Sequence, residues 1–399
     1  MRNFNSGAVL EIISSVYHFI SAFFVLFFGV VVTIKFGRFF LIRDIESVFL
    51  YVWHSLFSLF YLYFVLSSGG DAIKYFNSGL FWDGDIAVGT AAVDAISALL
   101  VSGMGMSILG VFLVFNIFGQ IGLLAFWGSL KHAVSGKVWW VRYLAVVFVL
   151  LPSVSFWSSA LGKDAISFMA VGLALWSSLN LSKRGVMMTS SIFVMFLVRP
   201  HMAGIMVLAV ASASLLDGKT PILRKFFLVF VASGVASVLV PFALDYAGIG
   251  EVVDAETVTD YIDKRQTYNM DGGGGVDIAS MSLPVKMFTY LFRPFIFEAR
   301  NAFSLAAGAD NIILLFLFVV GGFSMFRGKK SGLNENRTFM WAYSLGSWLI
   351  LAMTTANLGI ALRQKWMFVP MLVFLLISVI GRSRVPVEPG QVSLERGRR

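Results

Sequence analysis

The chain is predicted to be an all-α polytopic membrane protein, a helical bundle of about 11 spans with outer-face loops and an interfacial helix. Three observations carry this. Of its 399 residues, 58% are hydrophobic and only 13% are charged, about half the charged share of a soluble domain. Apolar stretches of about 20 residues recur from end to end, the length that crosses a bilayer as a helix. A membrane β-barrel has short alternating segments instead. Lys and Arg also gather in alternate connections between those stretches.

In chain order the apolar segments are 9–33, 46–66, 105–128, 139–157, 165–181, 186–199, 202–216, 226–246, 310–327, 338–356 and 366–381. The first is long and lacks a basic leader, so it reads as a retained helix. Several are shorter than a full span, which suits tilted or re-entrant helices inside a bundle. One set of connections holds Lys35, Arg38 and Arg43, then Lys131, Lys137 and Arg142, then Lys183 and Arg184. It continues through Lys219, Arg224 and Lys225 to Arg327, Lys329, Lys330 and Arg337, and then to the tail. Most of the 31 basic residues lie on this side and most of the 22 acids on the other. By the positive-inside bias the N-terminus is outside and the C-terminus cytoplasmic, with the protein in a cytoplasmic (inner) membrane. Residues 1–382 form the integral membrane domain, and 383–399 a cytoplasmic basic tail of disordered composition.

Composition also excludes functions. With no cysteine there is neither a disulfide nor a thiolate metal site, and four scattered histidines give no metal-ligand spacing. The net charge of +9 sits in short loops, so it reads as cytoplasmic loop charge and not as a nucleic-acid surface.

The outer side has two long connections. The first, 67–104, holds Asp71, Asp83, Asp85 and Asp94, and its second half, 91–106, reads as an amphipathic interfacial helix. The second, 247–309, holds an acidic run (251–263), a tetraglycine piece (272–275) that reads as a mobile loop or plain linker, and an aromatic stretch (284–301).

Five outward clusters could carry chemistry, because ionisable groups at membrane depth are costly unless paired or functional. Asp71 follows a span directly. It is either a solvated loop acid, or a general base or metal ligand, with Tyr75 one helical turn further on. Lys163 and Asp164 open a helix; Asp164 either caps it or acts, and Lys163 offers an anion contact on the side that disfavours cations. Arg199 and His201 flank Pro200 in a tight turn, where the arginine needs an anionic partner from a ligand or from an acid such as Asp164. Arg293 and Glu298 lie among aromatics in a stretch too charged to span, which reads as re-entrant or interfacial. Arg363 and Lys365 sit between the last two segments, either as interface anchors or as a diphosphate clamp.

A span, an outer loop reading Gly-Asp-Ala-Ile-Lys-Tyr (70–75), an interfacial helix and many further spans resemble the GT-C class of integral membrane glycosyltransferases, which use polyprenyl-phosphate-linked sugars. The stretches at 156–164, 292–295 and 357–365 also look like segments of bacterial membrane proteins tied to surface-polysaccharide assembly. The resemblance implies that Asp71 is the catalytic acid of the first outer loop. The loop here follows the second predicted span, whereas in the class it usually follows the first, and the large soluble outer domain of some members is missing. Joined to the cation clusters, the resemblance implies transfer of a sugar from a polyprenyl-(di)phosphate donor to a glycan or lipid-linked acceptor. Lys163, Arg199, Arg363 and Lys365 are then expected on the carrier phosphate, and Arg293 and Glu298 on sugar hydroxyls. A divalent cation on Asp71, Asp83 and Asp85 stays open, since their spacing does not establish one. Two other readings stay open too. An O-antigen-type polymerase or ligase uses the same carrier without needing an acid in the first loop. A lipid-linked sugar transporter or flippase needs mid-membrane polar groups, for which His54, Asn116 and Gln120 are the main candidates.

Overall fold

The computed structural model describes residues 12–218, most of 221–237, 275–328 apart from 279, and 331 and 336–381. Most of segment 226–246, the acidic run 251–263, nearly all of the tetraglycine piece and the tail 383–399 lie outside the described residues.

Among the described residues there is no strand, only an isolated bridge pairing Gly275 with Asn357. Among the described residues, six helices are long and apolar enough to cross a bilayer, seven if a pair bent by 63° at Phe368 counts as one span. The chain is thus an all-α, multi-pass membrane protein.

Helices α1 (Val16–Phe39) and α2 (Asp44–Ser68) form an antiparallel pair and pack on α5 (Ile108–Ala133). Between α2 and α5 lie α3 (Asp71–Leu80) and α4 (Thr90–Ala98), which runs on into a π-helical turn, Leu99–Gly103. Pro152 at a helix start divides the next span into α6 (Trp139–Val149) and α7 (Pro152–Ser158), since proline cannot donate to the preceding turn. Then follow α8 (Lys163–Ser178), α9 (Leu181–Val198) and α10 (Pro200–Leu216). After the undescribed stretch come α11 (Leu283–Phe292), α12 (Ala302–Phe326), α13 (Arg337–Thr354), α14 (Leu358–Gln364) and α15 (Val369–Val379).

The centre is built from α5, α8 and α15, and α15 is buried over its whole length. Helix α8 has 16 residues, about 24 Å of rise against a hydrocarbon core of about 30 Å. Such a short helix is sustained because its neighbours cover it. In lipid, close backbone approach and polar contacts hold helices together more than hydrophobicity does. Both devices are present. At the α5–α8 crossing a Cβ on Gly172 would lie 2.5 Å from the carbonyl oxygen of Gly122. Between α2, α5 and α7, buried His54 meets Asn116 Oδ1 at 2.5 Å and Ser158 Oγ at 2.9 Å, while Asn116 Nδ2 donates to Ser55 Oγ at 2.9 Å.

The helix ends sort into two sets. At one end lie Asp71, Lys163, Arg199 and Arg363. At the other, Lys137 Nζ donates to the carbonyls of Ile377, Ser378 and Ile380 at 2.6–3.0 Å, and Arg337 donates to Ser378 Oγ at 2.7 Å. These cations close the C-terminus of α15, where carbonyls lack intrahelical partners.

Candidate functional site

The site is a chain of alternating charges at the Asp71 end. Gly69 and Gly70 hold positive φ angles of 74° and 142°, which lets the chain leave α2 and restart at once as α3. Asp71 is the first residue of α3, where a carboxylate also suits the helix dipole. Arg363 closes the short helix α14, whose start is capped by Asn357 Oδ1 accepting from the N–H groups of Gly359 and Ile360.

Arg363 donates from Nη1 to Asp71 Oδ2 at 2.9 Å. Its Nε lies 2.8 Å from Asp164 Oδ2 without hydrogen-bond alignment, so that contact is ionic. The other oxygen of Asp164 accepts from Arg199 Nη2 at 2.6 Å. The order is therefore Asp71, Arg363, Asp164, Arg199, drawn from four separate helices or helix junctions. Arg199 and Asp164 have side chains only 8% and 14% exposed, whereas Asp71 is 44% exposed. The ladder therefore runs from a half-open acid down to a buried pair. Asp164, at the second position of α8, does not cap that helix; both its oxygens go to arginines.

Electrostatics follow this order. Burial pushes the Asp71 carboxyl up, but the Arg363 guanidinium and Lys74, whose Nζ is 3.5 Å away, hold it below the usual carboxylate range. Burial raises the Tyr75 phenol well above its ordinary value, so it is a neutral donor. Tyr75 lies beneath Asp71 on the buried face of α3 and comes against Gly162, where an added Cβ would meet its ring at 3.4 Å. Lys163 Nζ donates to Thr90 Oγ1 at 2.7 Å, tying α8 to α4.

Beneath Arg363 is a cavity of about 10 Å³ lined by Trp157, Ser158, Asp164, Phe168, Arg363, Trp366 and Met367, room for about one water. Donors are left over around the ladder: among the described residues Arg199 Nε and Trp366 Nε1 are buried with no acceptor. A rim of rings, Tyr61, Phe64, Phe156, Trp157 and Phe303, stands beside it, with Phe64 and Phe303 stacked at 5.7 Å.

Not every expected residue joins. Lys365 points away from the ladder; it is 1% exposed and donates to Asn311 Oδ1, because α14 ends in a 3-10 turn that sends residues 363 and 365 in different directions. Arg293 and Glu298 pair with each other, and Glu298 also accepts from the Phe295 N–H at 2.7 Å; the Arg293 bond holds the Glu298 carboxyl below its usual range. His201 sits in the first turn of α10, half-buried. Asp83 Oδ1 accepts from the Asp85 N–H at 3.2 Å, and among the described residues no group of three or more His, Asp or Glu is placed to hold a metal ion. Sequence reasoning missed Tyr61, Trp366 and Thr90, whose side chains read as ordinary packing residues in a chain that is 15% aromatic.

No protein family, curated protein or solved structure matches this chain.

Proposed function

We propose that the chain is a membrane glycosyltransferase of the GT-C kind, which moves a sugar from a polyprenyl-phosphate or -diphosphate carrier to an acceptor hydroxyl. In this reading it spans a bacterial cytoplasmic membrane about eleven times. The Asp71 end faces outward, the C-terminus lies inside, and the lysines and arginines of the opposite end obey the positive-inside bias. The acceptor oxygen attacks the anomeric carbon, the bond from that carbon to the carrier phosphate oxygen breaks, and the acceptor proton passes to the Asp71 carboxylate. The carrier phosphate leaves onto Arg363 and Arg199, whose charge offsets what builds on it. Lys163 flanks them. Lys365 serves the α12–α14 packing instead, and Arg293 with Glu298 shapes the turn before α12.

The observation that carries this reading is the ladder itself, with one half-exposed carboxylate at its head and arginine and indole donors left without acceptors below. Such a surplus of donors suits a ligand rich in acceptor oxygens, which phosphate and sugar both are. In the resting arrangement Asp71 is engaged by Arg363 and Lys74. A phosphate that takes Arg363 would release Asp71 to act as a base, coupling donor binding to activation.

The same engagement favours a second reading, a polysaccharide polymerase or ligase in which Asp71 only orients Arg363. The D71N variant separates the two. Transfer from a radiolabelled polyprenyl-linked sugar to acceptor by purified protein should fall at least ~100-fold, in the range of a lost general base. A loss under tenfold, with normal protein levels, favours the second reading. A transporter draws little support, because His54 and Asn116 are committed to bonds between helices.

A further inference from the structure

At the end opposite Asp71, α2 and α6 both pack on α5, and a groove of about 470 Å³ lies between them. That size falls in the range of about 300–1,000 Å³ usual for small-ligand sites. It is lined by Trp127 of α5, Phe49 and Leu50 of α2, and Val146 and Val149 of α6. The lining is apolar except at one end, where Glu46 accepts from Arg43 Nε at 2.5 Å, from Lys131 Nζ at 3.0 Å and from Trp127 Nε1 at 3.2 Å. One carboxylate thus serves two cations, which leaves this rim with a net single positive charge. Arg43 is 73% exposed, and among the described residues its two terminal nitrogens make no bond.

We propose that this groove is a binding site for an anionic phospholipid, with one acyl chain along Trp127 and the phosphate on Arg43 and Lys131. The groove runs beside two bilayer-crossing helices, where an extended peptide would leave its backbone groups unsatisfied and an acyl chain has none to satisfy. The surplus positive charge complements a head group of net charge −1. A zwitterionic head group brings its own cation against Arg43 and Lys131 and loses that match. Trp127 places an apolar ring in the groove and a polar N–H at its rim, the disposition of interfacial tryptophans. This inference does not depend on the enzymatic reading.

The test uses the full chain purified in detergent, with phosphatidylglycerol or phosphatidylcholine added and bound lipid counted by native mass spectrometry. Phosphatidylglycerol should be retained severalfold more than phosphatidylcholine. R43Q should erase most of that preference, and V146W, which fills the groove, should reduce retention of both lipids. F27W, on the exposed face of α1, should change neither. Equal retention of the two lipids by the unmodified protein overturns the proposal, as does a preference that survives R43Q. Because Arg43 is largely exposed, R43Q keeps the test decisive should V146W fail to fold.

Discussion

At the scale of single residues, Asp164 bears the most consequence. Among the described residues it is the one acid that touches two arginines, and it does so where Arg199 is nearly enclosed. Removing it leaves a buried guanidinium without its counter-charge. Breaking a buried pair in this way costs about 3–5 kcal/mol, whereas replacing both partners with apolar groups is often close to neutral. D164A should therefore unfold at markedly lower temperature or denaturant than the unmodified protein. The D164L/R199M double variant should recover most of the difference, with Arg363 still held by Asp71. Thermal unfolding in detergent measures both. A double variant no better than D164A would mean that Asp164 works through Arg363 alone. The sequence pointed part of the way here: Arg199, on the side that disfavours cations, needed an anion, either from a ligand or from an acid such as Asp164. That Arg363 would share the same carboxylate was not legible. Its partner lies some 200 residues away, and no local pattern reports that distance.

At the scale of elements, the apolar segments within the described residues fall on helices, but only six or seven of those are long enough to span where about eleven spans were expected, and several ends were placed poorly. Helix α12 begins at Ala302, eight residues before the predicted 310, because its first turns are rich in Ala, Gly and Ser and look like a loop. What starts it is a cap: Asn301 Oδ1 accepts from the Ser304 N–H while Ser304 Oγ accepts from the Asn301 N–H. The final segment, expected over 366–381, is helical only from Val369; the connection before it, 358–367, is itself helical, lies at 63° to that helix and carries Arg363 to the ladder. The interfacial stretch 91–106 is helical as expected to Ala98, then widens into a π turn whose Ser102 Oγ donates to the Gly79 carbonyl at 2.6 Å. Small residues set how near elements come. At Gly172 of α8, any side chain would collide with the α5 backbone at Gly122. Overpacking of this kind costs about 1–3 kcal/mol, and here both contacting groups are backbone. G172L should lower the unfolding temperature clearly. G185L, at an α9 glycine with open space around it, should not. Equal melting of the two variants would count against the crossing.

At the scale of the whole molecule, the chain separates its charge by end. Asp71, Asp164, Arg199 and Arg363 converge at one end, and the cations that cap α15 and bind Glu46 occupy the other. Hydropathy made the alternation of spans readable, but periodicity does not say which loops meet, so the convergence of the ladder needed the fold. The alternation has a direct consequence for topology. Ile86, in the connection after α3, is 81% exposed, and Ser135, in the connection after α5, is exposed as well. An odd number of bilayer crossings separates them if α5 spans and the shorter apolar helix Thr90–Gly103 does not. Because the chain contains no cysteine, single cysteines can be introduced without removing any. I86C should react in intact cells with a thiol reagent that does not cross the membrane, while S135C should react only after permeabilisation. Reaction of both from outside would place α5 wholly within one leaflet. Reaction of S135C alone would invert the protein, and the ladder would then face the cytoplasm, where a soluble nucleotide-sugar donor, and not a polyprenyl carrier, would be the substrate to test.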